Sequence, residues 1–267
     1  MAVRARTITT QLMGLSLLIV ALSAATSALA SAPDWTDSLS DFEKRYPELA
    51  PLELPTLPSA SGEARYHGER DTETQQVALT FDACSRWTEN RKDSRVIQIL
   101  EDSETPATLF LGGRWMIENA EITRSWSETG QFEIATHGYR HPKLNELSSE
   151  DQLLEIAYAQ AAALALTGEW PRHFRPPYAE YNPDTLEITA KLGLELIQYD
   201  VASGDADPEQ SPEAVASHVL NTVQAGSIVV LHLHRDDLPT AEALPLILDG
   251  LAEKGLDPVT VQTLLGP

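Results

Sequence analysis

Cysteine is nearly absent from this chain. Its 267 residues include one, Cys84, so no intramolecular disulfide can form and the core must hold without covalent staples. Basic residues are few, 19 Lys and Arg against 40 Asp and Glu, giving a formal net charge of -21. A field of that sign repels nucleic acid and anionic membrane surfaces and suits a neutral or cationic substrate. Solubility in a salty medium accounts for the same charge equally well. A Gly-rich phosphate loop is missing after the first strand pattern, where Phe81-Asp82-Ala83-Cys84-Ser85 stands instead. That argues against a doubly wound nucleotide-binding sheet. Internal repeats and low-complexity tracts are also absent.

What is present begins with a leader pattern. Arg4 and Arg6 form a basic start, Leu12 to Leu22 a short apolar core, and Ala28-Leu29-Ala30 a small-residue cleavage site. The core is too short to span a bilayer comfortably. Residues 1–30 are therefore expected to be a cleaved secretory signal, with Ser31 first in the mature chain; an uncleaved anchor is the competing reading. Cleavage would remove Arg4 and Arg6 and take the charge from -21 to -23. The expected location is periplasmic or secreted, with no stable membrane anchor. Residues 31–64 carry Pro47, Pro51, Pro55 and Pro58. Proline lacks the N–H that a ladder needs, so an extended arm is expected here, packed through Trp35, Phe42 and Tyr46, or else a disordered linker. Residues 65–267 are expected to form the folded domain.

Within that domain, short apolar runs alternate with helical patterns. Strands are expected at 77–82, 107–111, 132–135, 173–175, 194–199, 227–232 and 258–261. Helices are expected at 94–100, at 115–128, from Ser148 to a stop at Gly168, from Asn182-Pro183 to Gly193, from Ser211-Pro212, and at 240–254 with Gly255 as its stop. Seven strand-then-helix units predict an α/β fold with a parallel sheet and crossover helices, closed as a barrel. Barrels place their chemistry at the C-terminal strand ends. Asp82, His137, Arg175, Asp200 and His232 fall at or just beyond such ends.

Several of these residues are suited to chemistry. His137 and His141, four apart after a strand with Gly138 between them, can close on one divalent ion; capping or surface roles are the alternative. Asp82 at a strand end can take a proton from water acidified by a cation, or cap the next turn. Arg175 before Pro176-Pro177 can grip a carboxylate through parallel N–H bonds. His232 ends an apolar strand as a proton donor or a core residue, with His234 on the same face as a backup. Among Asp200, Ser203 and Asp205, one acid can orient His232 and raise its pKa.

Together these segments resemble the polysaccharide deacetylases of the NodB-homology group, carbohydrate esterase family 4, over residues about 66–266. Thr80-Phe81-Asp82 resembles the family's T-F-D-D motif, His137-Gly138-Tyr139-Arg140-His141 its H-[ST]-x-x-H, Arg175-Pro176-Pro177-Tyr178 its R-x-P-Y, and Gly226 to His232 its His-terminated strand. The tail from Ala243 is also similar.

The resemblance implies a distorted (β/α)7 barrel, preceded here by the extended arm. It also implies a metal-dependent hydrolase removing acetyl groups from a carbohydrate, most often N-acetyl from an N-acetylglucosamine-containing glycan. Carried over, His137 and His141 hold the metal, zinc with cobalt or nickel as alternatives. Asp82 is the base, His232 protonates the leaving amine, and Arg175 orients Asp82. Tyr178 offers its backbone N–H to the oxyanion and, with Asp205, contacts substrate.

Two positions depart from the pattern. Ala83 stands where the family has a second Asp that binds the metal. Asp82 itself is then expected to complete the shell, with Cys84, Asp205 or water as alternatives and a buried inert thiol as the other fate of Cys84. Ala202 and Ala206 stand where an Asp and a Trp are usual, so an aromatic wall is expected from Trp87 or Trp115. The rival readings are a catalytically silent carbohydrate-binding barrel and a metallohydrolase acting on another amide or ester.

Overall fold

The computed structural model describes residues 60–70, 73, 75–85 and 91–266. The expected signal at 1–30 and the arm up to residue 59 lie outside the described residues. In chain order the elements are β1 (Ala64–Arg65), β2 (Gln76–Ala83), α1 (Ser94–Asp102), β3 (Ala107–Leu111), α2 (Gly113–Glu118), α3 (Ala120–Glu128), β4 (Phe132–Thr136), α4 (Ser149–Thr167), β5 (His173–Phe174), α5 (Pro183–Lys191), β6 (Glu195–Ile197), β7 (Val201–Ala202), α6 (Pro212–Thr222), β8 (Ile228–His232), α7 (Thr240–Lys254), β9 (Asp257–Val259) and α8 (Val261–Leu265).

Among the described residues the strands form a nine-stranded sheet in the order β1-β6-β5-β4-β3-β2-β8-β7, with β9 beside the start of β2. Every pairing is parallel. The sheet must curl. β6 lies near one end of this order and β7 at the other, yet only Gln198, Tyr199 and Asp200 join them. Such a link spans at most roughly 14 Å. It is stitched to both sides, with Gln198 N–H donating to Arg65 O at 2.7 Å and Asp200 N–H to Ile228 O at 3.3 Å. The result is the distorted (β/α)7 barrel, with β1 and β7 as two-residue additions that the apolar pattern is too short to reveal.

Alternation along β2 sorts the core into two layers. Val77, Leu79, Phe81 and Ala83 face outward into the large cluster under the helices. Ala78 faces inward with Phe110, Ala135, Ile197 and Ile228. Val261 of α8 joins that inner cluster, so this short helix plugs the end of the barrel where the strands begin. Each large apolar side chain buried in this way contributes about 1.5–3 kcal/mol.

Caps set most helix ends where the sequence places them. The Ser148 hydroxyl accepts from Asp151 N–H, and Gly168 ends α4 at φ 77°. Asn182 and Thr185 form a reciprocal capping box at α5, with Pro183 in its first turn. Other boundaries move. The single helix expected over 115–128 is two, because Asn119 leaves helical geometry at φ -112°, ψ 36° and its side chain binds Trp115 O. The strand expected to reach Tyr199 stops at Ile197, where the chain turns to cross the barrel. The last strand ends at Val259 because Thr260 caps α8, an element the sequence pattern misses. No helix among the described residues is long and apolar enough to cross a membrane.

Candidate active site

Strand register brings the candidates to one rim. Asp82 is the direct neighbour of His232 across β2 and β8. Ala83 pairs with Leu111, Leu111 with Thr136, and Thr136 with Phe174. His137 and Arg175 therefore sit one step past the last paired residues, level with Cys84. The ladder continues there, with Gly112 N–H donating to Ala83 O at 2.9 Å, His137 N–H to Leu111 O at 3.0 Å and Arg175 N–H to Thr136 O at 2.9 Å. Gly112 stands between Cys84 and His137 on this level. A Cβ there would lie 2.3 Å from Ser85 Oγ, so the close packing of this level leaves no room for a side chain at 112.

The rim opens into a cavity of about 560 Å³ lined by Asp82, Cys84, His137, His141, Arg175 and Tyr178 on one side and by Tyr199, His232, His234 and Arg235 on the other. That volume suits a small ligand or one sugar-sized group. Arg175 is buried and supports Asp82 from behind. Its Nη1 donates to Asp82 Oδ1 at 2.7 Å and to Thr80 Oγ1 at 2.8 Å, and its Nη2 to Gln198 O at 3.2 Å. Phe110 lies 4.0 Å beneath the guanidinium carbon. Burial opposes the Asp82 charge, but Arg175, His137 and His232 outweigh it and hold its pKa below the usual carboxylate value.

The two imidazoles meet edge to face, with Nε2 of His137 and His141 3.2 Å apart. His137 Nδ1 lies 2.8 Å from Arg175 O, a contact only Nδ1–H can make. That fixes the tautomer and leaves the Nε2 lone pair facing the cavity. Burial lowers both pKa values, that of His141 to about 3, so both rings are neutral at neutral pH, the form a metal requires. Cys84 Sγ is 3.8 Å from His137 Nε2, and the three ligand atoms of Cys84, His137 and His141 lie within 4.8 Å of one another. An ion held tetrahedrally by two imidazoles would set their nitrogens roughly 3.3 Å apart, so the donor set fits a divalent cation.

Local backbone makes this turn. Gly138 has φ 71°, and a Cβ there would press on Pro177 at 3.3 Å. His141, Tyr178 and Ala179 adopt left-handed φ of 68°, 58° and 58° without being glycine. Such strain persists only where surroundings over-determine it. Here buried Glu155 of α4 accepts from the backbone N–H groups of Tyr139 at 2.9 Å and Arg140 at 2.8 Å and from Arg140 Nε at 2.5 Å. Sequence reasoning missed this group. The signal was a Glu on the buried face of an otherwise Ala-rich helix.

On the far wall, His232 Nδ1 bonds Asp205 Oδ1 at 2.8 Å, which directs its other ring nitrogen to the cavity. Asp205 Oδ2 also accepts from His232 N–H at 2.7 Å and Thr240 Oγ1 at 2.6 Å, and Ser203 Oγ donates to Oδ1 at 2.8 Å. Burial disfavours the imidazolium, but the Asp205 carboxylate more than offsets this, and the His232 pKa is raised. His234 lines the cavity with its ring 5.5 Å from His232.

Some expected placements change. Asp205, expected to contact substrate, lies behind His232, 1% exposed, with both oxygens bonded to His232, Ser203 and Thr240. Asp82 keeps Oδ1 on Arg175 while its Oδ2 lies 3.7 Å from His137 Nε2, and Cys84, His137 and His141 form the group of side chains that could hold an ion together. Cys84 is half-buried in the cavity wall rather than sealed in the core. Asp200 sits at the start of β8, bound to Ile228 N–H at 2.7 Å and Arg70 Nη2 at 2.6 Å, at the opposite end from His232. Trp115 is buried against Trp126 and forms no wall of the site. Trp87 lies outside the described residues. Tyr178 is at the mouth, 57% exposed, its ring 4.6 Å from that of His141.

Comparison with known proteins gives consistent matches. The polysaccharide deacetylase family profile matches residues 69–197. A chitooligosaccharide deacetylase of a Bradyrhizobium species is 32% identical over 176 residues, covering 63% of this chain and 74% of that protein. The peptidoglycan-N-acetylglucosamine deacetylase PgdA of Listeria monocytogenes is 28% identical over 86% of this chain, which spans 45% of the length of that relative. Among solved structures, a CE4-family pseudoenzyme from Bacillus anthracis superposes with a TM-score of 0.69 at 25% identity, covering 78% of this chain and 70% of the other.

Proposed function

Since the chain belongs to the polysaccharide deacetylase family, we propose that it is an exported, metal-dependent hydrolase that removes acetyl groups from a carbohydrate. The substrate class we favour is an N-acetylglucosamine-containing glycan, and the metal we favour is zinc, with cobalt or nickel able to substitute. One observation carries the reading: a carboxylate clamped by Arg175 and an imidazole backed by Asp205 face the His137–His141 pair in one cavity.

His137 and His141 are the residues that would hold the ion. A bound divalent cation supplies Lewis-acid polarisation of an acyl oxygen and a lowered pKa for water. The chain's own groups do the rest. Asp82 keeps Oδ1 on Arg175 and offers Oδ2 to take the proton of the attacking water. The backbone N–H of Tyr178, held at positive φ, is assigned to the charge that develops on the acyl oxygen. His232 gives a proton from Nε2 to the departing amine nitrogen, while Asp205 keeps its Nδ1–H in place. The C–N bond breaks as that proton arrives, giving acetate and a free amine. A strongly acidic chain tolerates the cationic amino-sugar product better than an anionic one.

The test is acetate release by zinc-loaded protein from N-acetylglucosamine oligomers, peptidoglycan fragments and acetylated xylan, with Asp82→Asn as control. Release that Asp82→Asn abolishes supports the proposal. A silent carbohydrate-binding barrel is the second reading, favoured by Ala83 and by the likeness to a pseudoenzyme. Glycan binding without turnover in zinc, cobalt or nickel would select it. Turnover confined to non-sugar amides or esters would select the third reading.

A further inference from the structure

We infer that Cys84 is the third protein ligand of the metal site, a thiolate standing in for the carboxylate that Ala83 cannot supply. The inference rests on the metal-site reading above but not on the identity of the substrate.

Strand alternation gives the reason. Thr80, Asp82 and Cys84 share one face of β2 and its extension, toward the barrel interior, whereas Ala83 points outward, fully buried among core residues beneath the helices. Position 83 is thus turned away from the imidazoles. The next residue is turned toward them, on the same ladder level as His137, with only Gly112 between. The Sγ–Nε2 separation to His137 is 3.8 Å and the Nε2–Nε2 separation to His141 is 3.2 Å. A tetrahedral ion with two imidazoles and one thiolate at ordinary bond lengths would require roughly 3.6 Å and 3.3 Å.

The other acids at this end have other work, and Asp82 Oδ2, 3.7 Å from His137 Nε2, is the oxygen assigned above to take the proton of water. Asp82 Oδ1 is committed to Arg175, and Asp205 spends both oxygens on His232, Ser203 and Thr240. A His₂Cys set with an open fourth position is a catalytic zinc arrangement, and the soft sulfur biases the site toward zinc over harder ions such as manganese or magnesium.

The chain's single cysteine makes the test clean, since any thiol signal is that of Cys84. Full-length protein is stripped of metal and reloaded with cobalt(II) or zinc. Three results are expected. The cobalt protein shows a thiolate-to-metal charge-transfer band that Cys84→Ser lacks. Zinc slows alkylation of the thiol at least about tenfold, and Cys84→Ala weakens zinc binding on the order of 100-fold in chelator competition while circular dichroism is unchanged.

Absence of the thiolate band in cobalt-loaded wild-type protein overturns the assignment, whatever alkylation shows, because that measurement needs no variant to fold. Unchanged zinc affinity in Cys84→Ala overturns it as well, and if His137→Ala abolishes binding at the same time the metal site itself stands. A thiolate band in a protein that deacetylates no glycan keeps the ligand assignment and removes only the proposed substrate.

Discussion

The two ends of the barrel hold similar groups and use them differently. At the end where strands finish, His232 pairs with Asp205 and Asp82 with Arg175. At the end where strands begin, His173 pairs with Glu133, whose other oxygen accepts from Thr108 Oγ1 at 2.7 Å and from Gln262 N–H at 3.0 Å. His173 and Arg175 lie two apart on one strand direction, as do Glu133 and Ala135 before His137, so each strand sends the same face to both ends. The lower network is closed: its carboxylate anchors the first turn of α8, and no ring nitrogen converges on another. The upper one leaves two imidazole nitrogens and a sulfur facing a common point, on a turn bent into left-handed backbone. A buried His–carboxylate pair is therefore no mark of catalysis by itself. Convergence of lone pairs on shared space is.

Breaking this comparison takes one substitution at a time. His137→Ala should have the largest effect: stoichiometric zinc is lost on elemental analysis and acetate release falls to background. Retention of tight zinc binding in that variant would place the metal elsewhere. Asp82→Asn should lower turnover by about 10²–10⁴-fold while metal content and melting temperature hold, since the base is removed but not the imidazole pair.

Asp205→Asn should cost less, about 10–100-fold, and change the pH profile. With Asp205 present, the His232 pKa is raised above 6.5, so its protonated form persists to higher pH. Removing the carboxylate takes away the main opposition to burial and leaves only the Asp82 charge, so the high-pH limb of the rate profile should move to lower pH. The same linkage applies to stability: the contribution from His232 is complete below 6.5 and is lost as pH rises through its raised folded value. An unmoved limb would mean that His232 is not the acid.

The smallest effect on chemistry should come from the opposite rim. Glu133→Gln should cost about 1–3 kcal/mol in denaturant unfolding, with zinc affinity and pH–rate profile unchanged. The Glu133 pKa is lowered, because its hydrogen bond with His173, the His173 charge and its other donors outweigh burial. Its contribution is therefore present above 4.5 and lost as pH falls below that through the folded value, so the variant should lose stability less steeply on the acid side. A change in zinc affinity would mean that the two ends are coupled.

Much of the site could be read in the sequence because strand ends announce themselves. Asp82, His137, Arg175 and His232 each follow a short apolar run, and a parallel barrel forces such ends onto one rim. Asp200 misled for the same reason, since it follows β6 but precedes β7, and a two-residue strand leaves no periodic trace. Glu155 was hidden because its role depends on where α4 lies against the 138–141 turn, at a sequence distance that no local pattern spans. Asp205 was legible as an acid near His232, but whether it faced the cavity or the back of the ring depended on Thr240 and Ser203.

Apolar spacing, caps and turn residues are local, and they alone determined the alternating strands and helices, the parallel barrel, and the rim on which the chemistry would gather. Which of Asp82, Ala83 and Cys84 faces the imidazoles was decided only by the curled sheet. Side-chain direction there depends on the register of β2 between β3 and β8 and on the guanidinium that engages Asp82.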